Sequence, residues 1–335
     1  MNVAMWGKAI SVIPRVSKDE WQRLDVIAKW LIATRFAVAI MTFISAAISG
    51  LLAYRDGAFD GTLWVMVTIG LLFAHATNNL VNDMTDHVKG VDKDNYFRAQ
   101  YGPQPLEHGL MSKSEVFRYT FVTGAIALAA GIYLVIVRGE ATLTLFGLGI
   151  FFVLFYTWPL KYIGMGEVAV IIVWGPLMVG GGYYVITGTI HTNVILASLP
   201  FALAATTVLF GKHTDKLEAD LQKGIKTMPV LLGERNSRYT TMLMFASQYV
   251  FVAYLVAVQY FSPLLGLVLV AAPTCLQAIK VFGKQRPSER PAAFPERIWP
   301  LWFSAYAFNH TRRFGMLYLI GMLLDVAARK LGYFG

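Results

Sequence analysis

Leu63-Trp64-Val65-Met66-Val67-Thr68-Ile69-Gly70-Leu71-Leu72-Phe73-Ala74-His75-Ala76-Thr77-Asn78-Asn79-Leu80-Val81 runs directly into Asn82-Asp83-Met84-Thr85-Asp86-His87-Val88-Lys89-Gly90-Val91-Asp92. The apolar part reads as a membrane-spanning helix, and three carboxylates crowd its end. Carboxylates at the rim of a membrane segment are costly and mark functional sites. A second acidic cluster, Asp215-Lys216-Leu217-Glu218-Ala219-Asp220-Leu221-Gln222-Lys223-Gly224, also follows an apolar run. Two such groups with interspersed lysines point to a site for divalent cations and a diphosphate.

The rest of the chain agrees with a membrane setting. Its 335 residues are 56% hydrophobic and 15% charged, which excludes an ordinary soluble domain and predicts an all-α, polytopic membrane protein. Apolar runs predict nine transmembrane helices, over 30–52, 63–81, 116–137, 142–159, 167–185, 193–209, 239–259, 261–281 and 314–327. Residues 1–29 read as an N-terminal tail and 30–335 as a single membrane domain. With the N-terminus in the cytoplasm, only Arg55, Arg138, Arg329 and Lys330 fall on the opposite side, and Arg35 lies inside the first span. This lopsided distribution supports both the orientation and an odd helix count, and it puts the two acidic clusters on the cytoplasmic face of the cell (inner) membrane. The proline-broken, aromatic-rich stretch 295–313 reads as an interfacial element.

The net charge of +9 lies between the hydrophobic runs, where anionic lipid headgroups and phosphorylated substrates are the expected partners rather than nucleic acid. The single Cys275 excludes an intrachain disulfide and a Cys-cluster zinc site. No HExxH spacing and no GxxxxGK[ST] loop is present, which disfavours zinc hydrolysis and P-loop chemistry.

Asn79, Asp83 and Asp86 share one helical face, with Asn82 one turn before Asp86. Gly90 is expected to end that helix and let Asp92 fold back toward the same point. Asp83, Asp86 and Asp92 in the first cluster and Asp215, Glu218 and Asp220 in the second make an all-oxygen ligand set, which suits Mg²⁺. Asn82, Lys89, Arg98, Lys161 and Lys223 are candidate diphosphate ligands. Taken alone, the second cluster fits a solvated loop as well as a ligand site, and Lys161 fits snorkelling as well as binding. Arg35 lies a turn or so inside the first span, where snorkelling and cavity lining are both open. Asp325 and Arg329, four apart, read as a local ion pair.

These residues resemble the UbiA superfamily of intramembrane prenyltransferases, and within it the enzymes that prenylate 1,4-dihydroxy-2-naphthoate in menaquinone synthesis. The resemblance covers about residues 70–235: Asn82-Asp83-x-x-Asp86-x-x-Lys89-Gly90-x-Asp92 with Arg98 and Gly102-Pro103; Tyr162-Ile163-Gly164-Met165-Gly166-Glu167; Gly175-Pro176 with Tyr183-Tyr184; and Asp220-x-x-x-Gly224-x-x-Thr227. Two features depart from the pattern. Asp215 and Asp220 are five apart rather than four, and no proline-bearing basic motif surrounds Ile32-Ala33-Thr34-Arg35-Phe36.

The resemblance implies nine helices around a central cavity capped by cytoplasmic Asp-rich loops and open sideways to lipid. It implies Mg²⁺-assisted ionisation of a polyprenyl diphosphate and attack by an electron-rich carbon of an aromatic acceptor, with Tyr156 shielding the carbocation. With the naphthoate as acceptor, decarboxylation accompanies transfer. Two alternatives stay open: another acceptor (a phenol, haem, chlorophyllide or a lipid), and a non-catalytic lipid-diphosphate binder or transporter. A transporter is expected to carry its polar groups near mid-membrane, whereas the acidic clusters here sit at one rim.

Overall fold

A computed structural model describes residues 2–91, 93 and 102–334. Among these residues the regular structure is helical and includes no strand. The helices are, in order, α1 (Val3–Ser11), α2 (Lys18–Gln22), α3 (Val26–Ala33), α4 (Phe36–Arg55), α5 (Gly61–Val88), α6 (Lys113–Arg138), α7 (Glu140–Phe155), α8 (Gly166–Thr187), α9 (Thr192–Asp215), α10 (Leu217–Gln222), α11 (Met228–Ala257), α12 (Pro263–Phe282) and α13 (Trp302–Lys330).

Seven of them, α4, α5, α6, α8, α9, α11 and α12, are long and apolar enough to cross a membrane. Helices stand at the other two expected spans, but neither is a clean apolar crossing. α7 has only 16 residues. α13 has 29 and begins at Trp302, so most of the expected interfacial element belongs to it, and only Glu296–Ile298 forms a separate short turn. The mean hydropathy of α13 is low because exposed Asn309, Arg312 and Arg313 and buried His310 and Thr311 crowd its first half. His310 and Thr311 are fully buried, and the Thr311 hydroxyl donates to the Ala204 carbonyl at 2.7 Å. The first expected span is also broken, because Arg35 takes a left-handed conformation (φ 53°) between α3 and α4.

Burial separates a central core from an outer wall. In α4 and α9, 67% of the apolar window is buried inside the protein, against 28% in α5 and 17% in α6. Ile44, Ile48, Val179, Phe201, Leu255, Phe314 and Tyr318 interlock in the core formed by α4, α8, α9, α11 and α13. α6 instead presents Phe117, Phe121, Ile132 and Ile136 outward, as a lipid-facing helix should. One side of the bundle is therefore a thin wall with space behind it. The N-terminal helices pack on that wall through Trp21, Ala28 and Ile32 against Leu80 of α5 and Val116 of α6. Asp25 fixes them by capping α3 and accepting from the Asn2 backbone N–H at 2.6 Å. The N–H groups of Ala28 and then Asn2 pull its carboxyl down to about 2.

α9 meets the start of α13 at Gly211, where an added Cβ would lie 2.8 Å from the Ser304 nitrogen and 2.9 Å from the Phe303 carbonyl carbon. Both neighbours are backbone and cannot swing away. Gly211→Ala is expected to destabilise the fold by about 1–3 kcal/mol, the range for overpacking. A lowered thermal midpoint in detergent, with Gly147→Ala unchanged as the control, is the expected result, since a Cβ at Gly147 meets nothing within 4 Å.

Candidate diphosphate-binding site

α5 and α10 end in the same turn. The Val91 N–H donates to the Asp86 carbonyl and the Ile225 N–H to the Asp220 carbonyl, each at 2.9 Å. Between each pair stands a left-handed glycine, Gly90 at φ 68° and Gly224 at φ 69°. This six-to-one closure ends a helix with a glycine because a side chain resists that conformation, and it turns a buried apolar residue inward behind it. Both acidic clusters thus present an aspartate on the last turn of a helix, at equivalent positions.

Each aspartate holds a cation. Both carboxylate oxygens of fully buried Asp86 accept from the Lys161 ammonium at 3.0 Å. Asp83 pairs with Arg35, and Asp220 accepts from Lys216 at 2.7 Å. Lys161 belongs to the short turn Leu160–Ile163, which Asn82 helps fix by donating its amide to the Thr157 hydroxyl at 2.9 Å. Arg35 reaches Asp83 from its left-handed backbone, a conformation costing roughly 1 kcal/mol in a non-glycine residue and often found at functional sites.

Arg35, Lys161 and Lys216 line one cavity of about 1120 Å³, joined at its charged end by Asn82, Lys212 and Arg312. Elsewhere the walls are apolar, with Val67, Leu71, Leu128, Leu134 and Leu177, and Tyr156, whose carbonyl accepts from the Lys161 backbone N–H at 3.0 Å, also lines the cavity. The aspartates stand behind the lining and position its cations. Residues 11–15 of the N-terminal segment also border the cavity.

Other expected site residues lie elsewhere. Both carboxylate oxygens of Asp215 accept from the first N–H groups of α13, Phe303 at 2.9 Å and Ser304 at 3.0 Å, so this side chain caps a helix. Glu218 is exposed. Lys89 is exposed too, with its ammonium over the rings of Trp158 (4.9 Å) and Tyr162 (5.4 Å). Lys223 donates to the carbonyls of Gly90 (3.3 Å) and Lys93 (2.9 Å) and ties the second cluster to the first. Asp92 and Arg98 fall outside the described residues. Sequence reading overlooked Lys212, Lys216 and Arg312. For the lysines a signal existed, since Lys212, Lys216 and Asp220 follow one another at intervals of four.

Among the described residues, no three His, Cys, Asp or Glu side chains converge on a metal position. The donor chemistry nevertheless fits a hard cation. The rim aspartates and amides offer oxygen, and the Asp220 Oδ2 is buried with no hydrogen-bond partner among the described residues. A cation that takes one or two carboxylates and completes its shell with phosphate oxygens and water matches this set. A polyanion at such a rim meets fixed cations, while an attached hydrocarbon lies in an apolar slot.

The chain has recognisable relatives among known proteins. Residues 42–309 match the UbiA prenyltransferase family. The chain is 31% identical over 229 residues to the 1,4-dihydroxy-2-naphthoate octaprenyltransferase of Escherichia coli K12, covering 65% of this chain and 72% of that one. It is 33% identical over 204 residues to UbiA prenyltransferase domain-containing protein 1 of Gallus gallus, covering 59% of this chain and 60% of that protein. In fold it resembles a UbiA homologue from Archaeoglobus fulgidus solved with GPP and Mg²⁺, with a TM-score of 0.55, 18% identity, and coverage of 89% of this chain and 99% of the other.

Proposed function

The chain belongs to the UbiA prenyltransferase family and is an integral membrane prenyltransferase; on that premise we propose that it moves a polyprenyl group from an allylic polyprenyl diphosphate to an aromatic quinone precursor, 1,4-dihydroxy-2-naphthoate. The observation that carries the reading is the ring of aspartate-anchored cations above an apolar cavity. Arg35, Lys161 and Lys216 bind the diphosphate and stabilise the charge that grows on it as the allylic C–O bond breaks. Because Asp83, Asp86 and Asp220 hold these cations in place beforehand, little reorganisation is needed at the moment of ionisation. The apolar walls accept the prenyl chain and keep water from the carbocation, and Tyr156, which lines the cavity, shields that cation. Asp83, Asp86 and Asp220, with Asp92 of the same motif, would hold Mg²⁺, which when bound supplies further neutralisation of the leaving diphosphate. The positive-inside pattern supports a site on the cytoplasmic face of the membrane.

Mass spectrometry of membranes from cells expressing the chain, with and without added naphthoate, tests the reading. A prenylated, decarboxylated naphthoquinol is expected, and prenylation only of haem, a phenol or a lipid would reassign the acceptor. Divalent-ion dependence provides a second check. Excess chelator is expected to stop turnover, Mg²⁺ to restore it and Zn²⁺ to restore it poorly, because the ligands are hard oxygens. Full turnover in chelator would remove the metal from the scheme.

A further inference from the structure

The cavity wall carries one polar constellation well below the charged rim. His75 lies seven residues before Asn82 on α5, two turns along the same face and roughly 10 Å deeper at 1.5 Å per residue. Its Nδ1 is 2.7 Å from the hydroxyl of Thr42, which is fully buried on α4. Its Nε2 has no hydrogen-bond partner among the described residues, and the ring borders the cavity. Trp174 stands against it edge-on, with ring centroids 5.4 Å apart and planes at 86°. The Trp174 indole N–H is also buried with no partner among the described residues. Trp174 belongs to the π-helical stretch Val173–Gly180 around Pro176, and Ser45 pins its carbonyl at 3.0 Å. Wide helical turns of this kind recur at functional sites.

A hydrocarbon chain makes no use of an imidazole, and polar groups in a membrane-depth wall are expensive. Lys161, Arg35 and Lys216 already supply cations for the diphosphate among the residues that line the same cavity. A hydroxylated aromatic ring, whose carbon must reach the first prenyl carbon just beneath the rim, extends downward to this depth. We propose that His75, oriented by Thr42, accepts a hydrogen bond from a ring hydroxyl of the aromatic acceptor, which lies against Trp174. This deepens the prenyl-transfer reading and rests on it. In the tautomer that donates Nδ1–H to Thr42, Nε2 offers its lone pair to the hydroxyl. During transfer the C–O bond of the allylic diphosphate breaks with its electron pair leaving on diphosphate. A ring π pair forms the new C–C bond, and aromaticity returns as that carbon loses its carboxyl group as CO₂. The hydroxyl keeps its proton at the end, and its hydrogen bond to His75 helps the oxygen share electron density with the ring meanwhile. His75 thus touches the acceptor, and Thr42 is a positioning residue.

Steady-state kinetics of the full chain in lipid nanodiscs test this, with 1,4-dihydroxy-2-naphthoate, its two monomethyl ethers and a polyprenyl diphosphate. His75→Phe is expected to raise the acceptor KM about tenfold, as for a lost hydrogen bond of about 1.4 kcal/mol, with the KM for prenyl diphosphate changed less than twofold. One methyl ether should be a poor acceptor for wild type, and His75→Phe should lose that discrimination. Thr42→Val should shift the acceptor KM in the same direction and Thr42→Ser should restore it, which keeps the test decisive if His75→Phe does not fold. Wild-type turnover with both KM values unmoved, or moved together, in His75→Phe or in Thr42→Val overturns the assignment alone. No wild-type turnover of any naphthol overturns the prenyl-transfer reading and the assignment with it.

Discussion

Asp86→Asn protein is expected to fold and to transfer prenyl groups at least about a hundredfold more slowly than wild type. Asparagine retains one oxygen for Lys161 but removes the charge that fixes the ammonium and attracts a divalent ion. Loss of one pre-organised electrostatic element of this kind typically costs about 10²–10³ in kcat. Asp86→Ala should do more. Asp86 is fully buried and its partner Lys161 is only 5% exposed, so alanine leaves a buried ammonium uncompensated, which costs about 3–5 kcal/mol of stability. Single-turnover rates and thermal midpoints measured on both variants separate the effects. Near-wild-type transfer by folded Asp86→Asn would remove this carboxylate from the chemistry.

Lys161→Met is expected to weaken a non-ionisable prenyl thiodiphosphate by about tenfold to a hundredfold, the loss of a charge-assisted hydrogen bond worth about 1.5–3 kcal/mol. Acceptor binding should be nearly unchanged. The variant also strands Asp86, so its stability should fall. Pairing Lys161→Met with Asp86→Asn replaces a broken ion pair with a neutral pair and should recover much of the stability while leaving diphosphate affinity low. Isothermal titration with the analogue decides this. If the double variant regained affinity along with stability, Lys161 would be a structural partner of Asp86 and not a ligand.

The contrast between Asp86 and Asp215 shows how far a sequence reveals such a site. Asp83 and Asp86 were legible because they end an apolar run, where carboxylates are rare, and Gly90 announced the turn that ends their helix. Asp215 looked equivalent but serves the first N–H groups of α13, a helix 88 residues away whose docking no local pattern discloses. Lys89 and Lys223 were plausible by proximity, yet the first is drawn onto Trp158 and Tyr162 and the second onto loop carbonyls. Helix boundaries failed for related reasons. Asn309, His310, Arg312 and Arg313 lower the hydropathy of the first half of α13, and no local pattern marks the left-handed break at Arg35, whose side chain pairs with Asp83. His75 gave no signal, since a lone histidine in an apolar run acquires meaning only with Thr42 and Trp174 beside it.

The most direct measurement is a single-turnover reaction of the purified chain with Mg²⁺, isotopically labelled polyprenyl diphosphate and 1,4-dihydroxy-2-naphthoate, counting every product. One diphosphate and one CO₂ released for each prenylated naphthoquinol formed is the predicted result. Diphosphate release without prenyl transfer to the ring, or recovery of the prenyl diphosphate bound and intact, would contradict it.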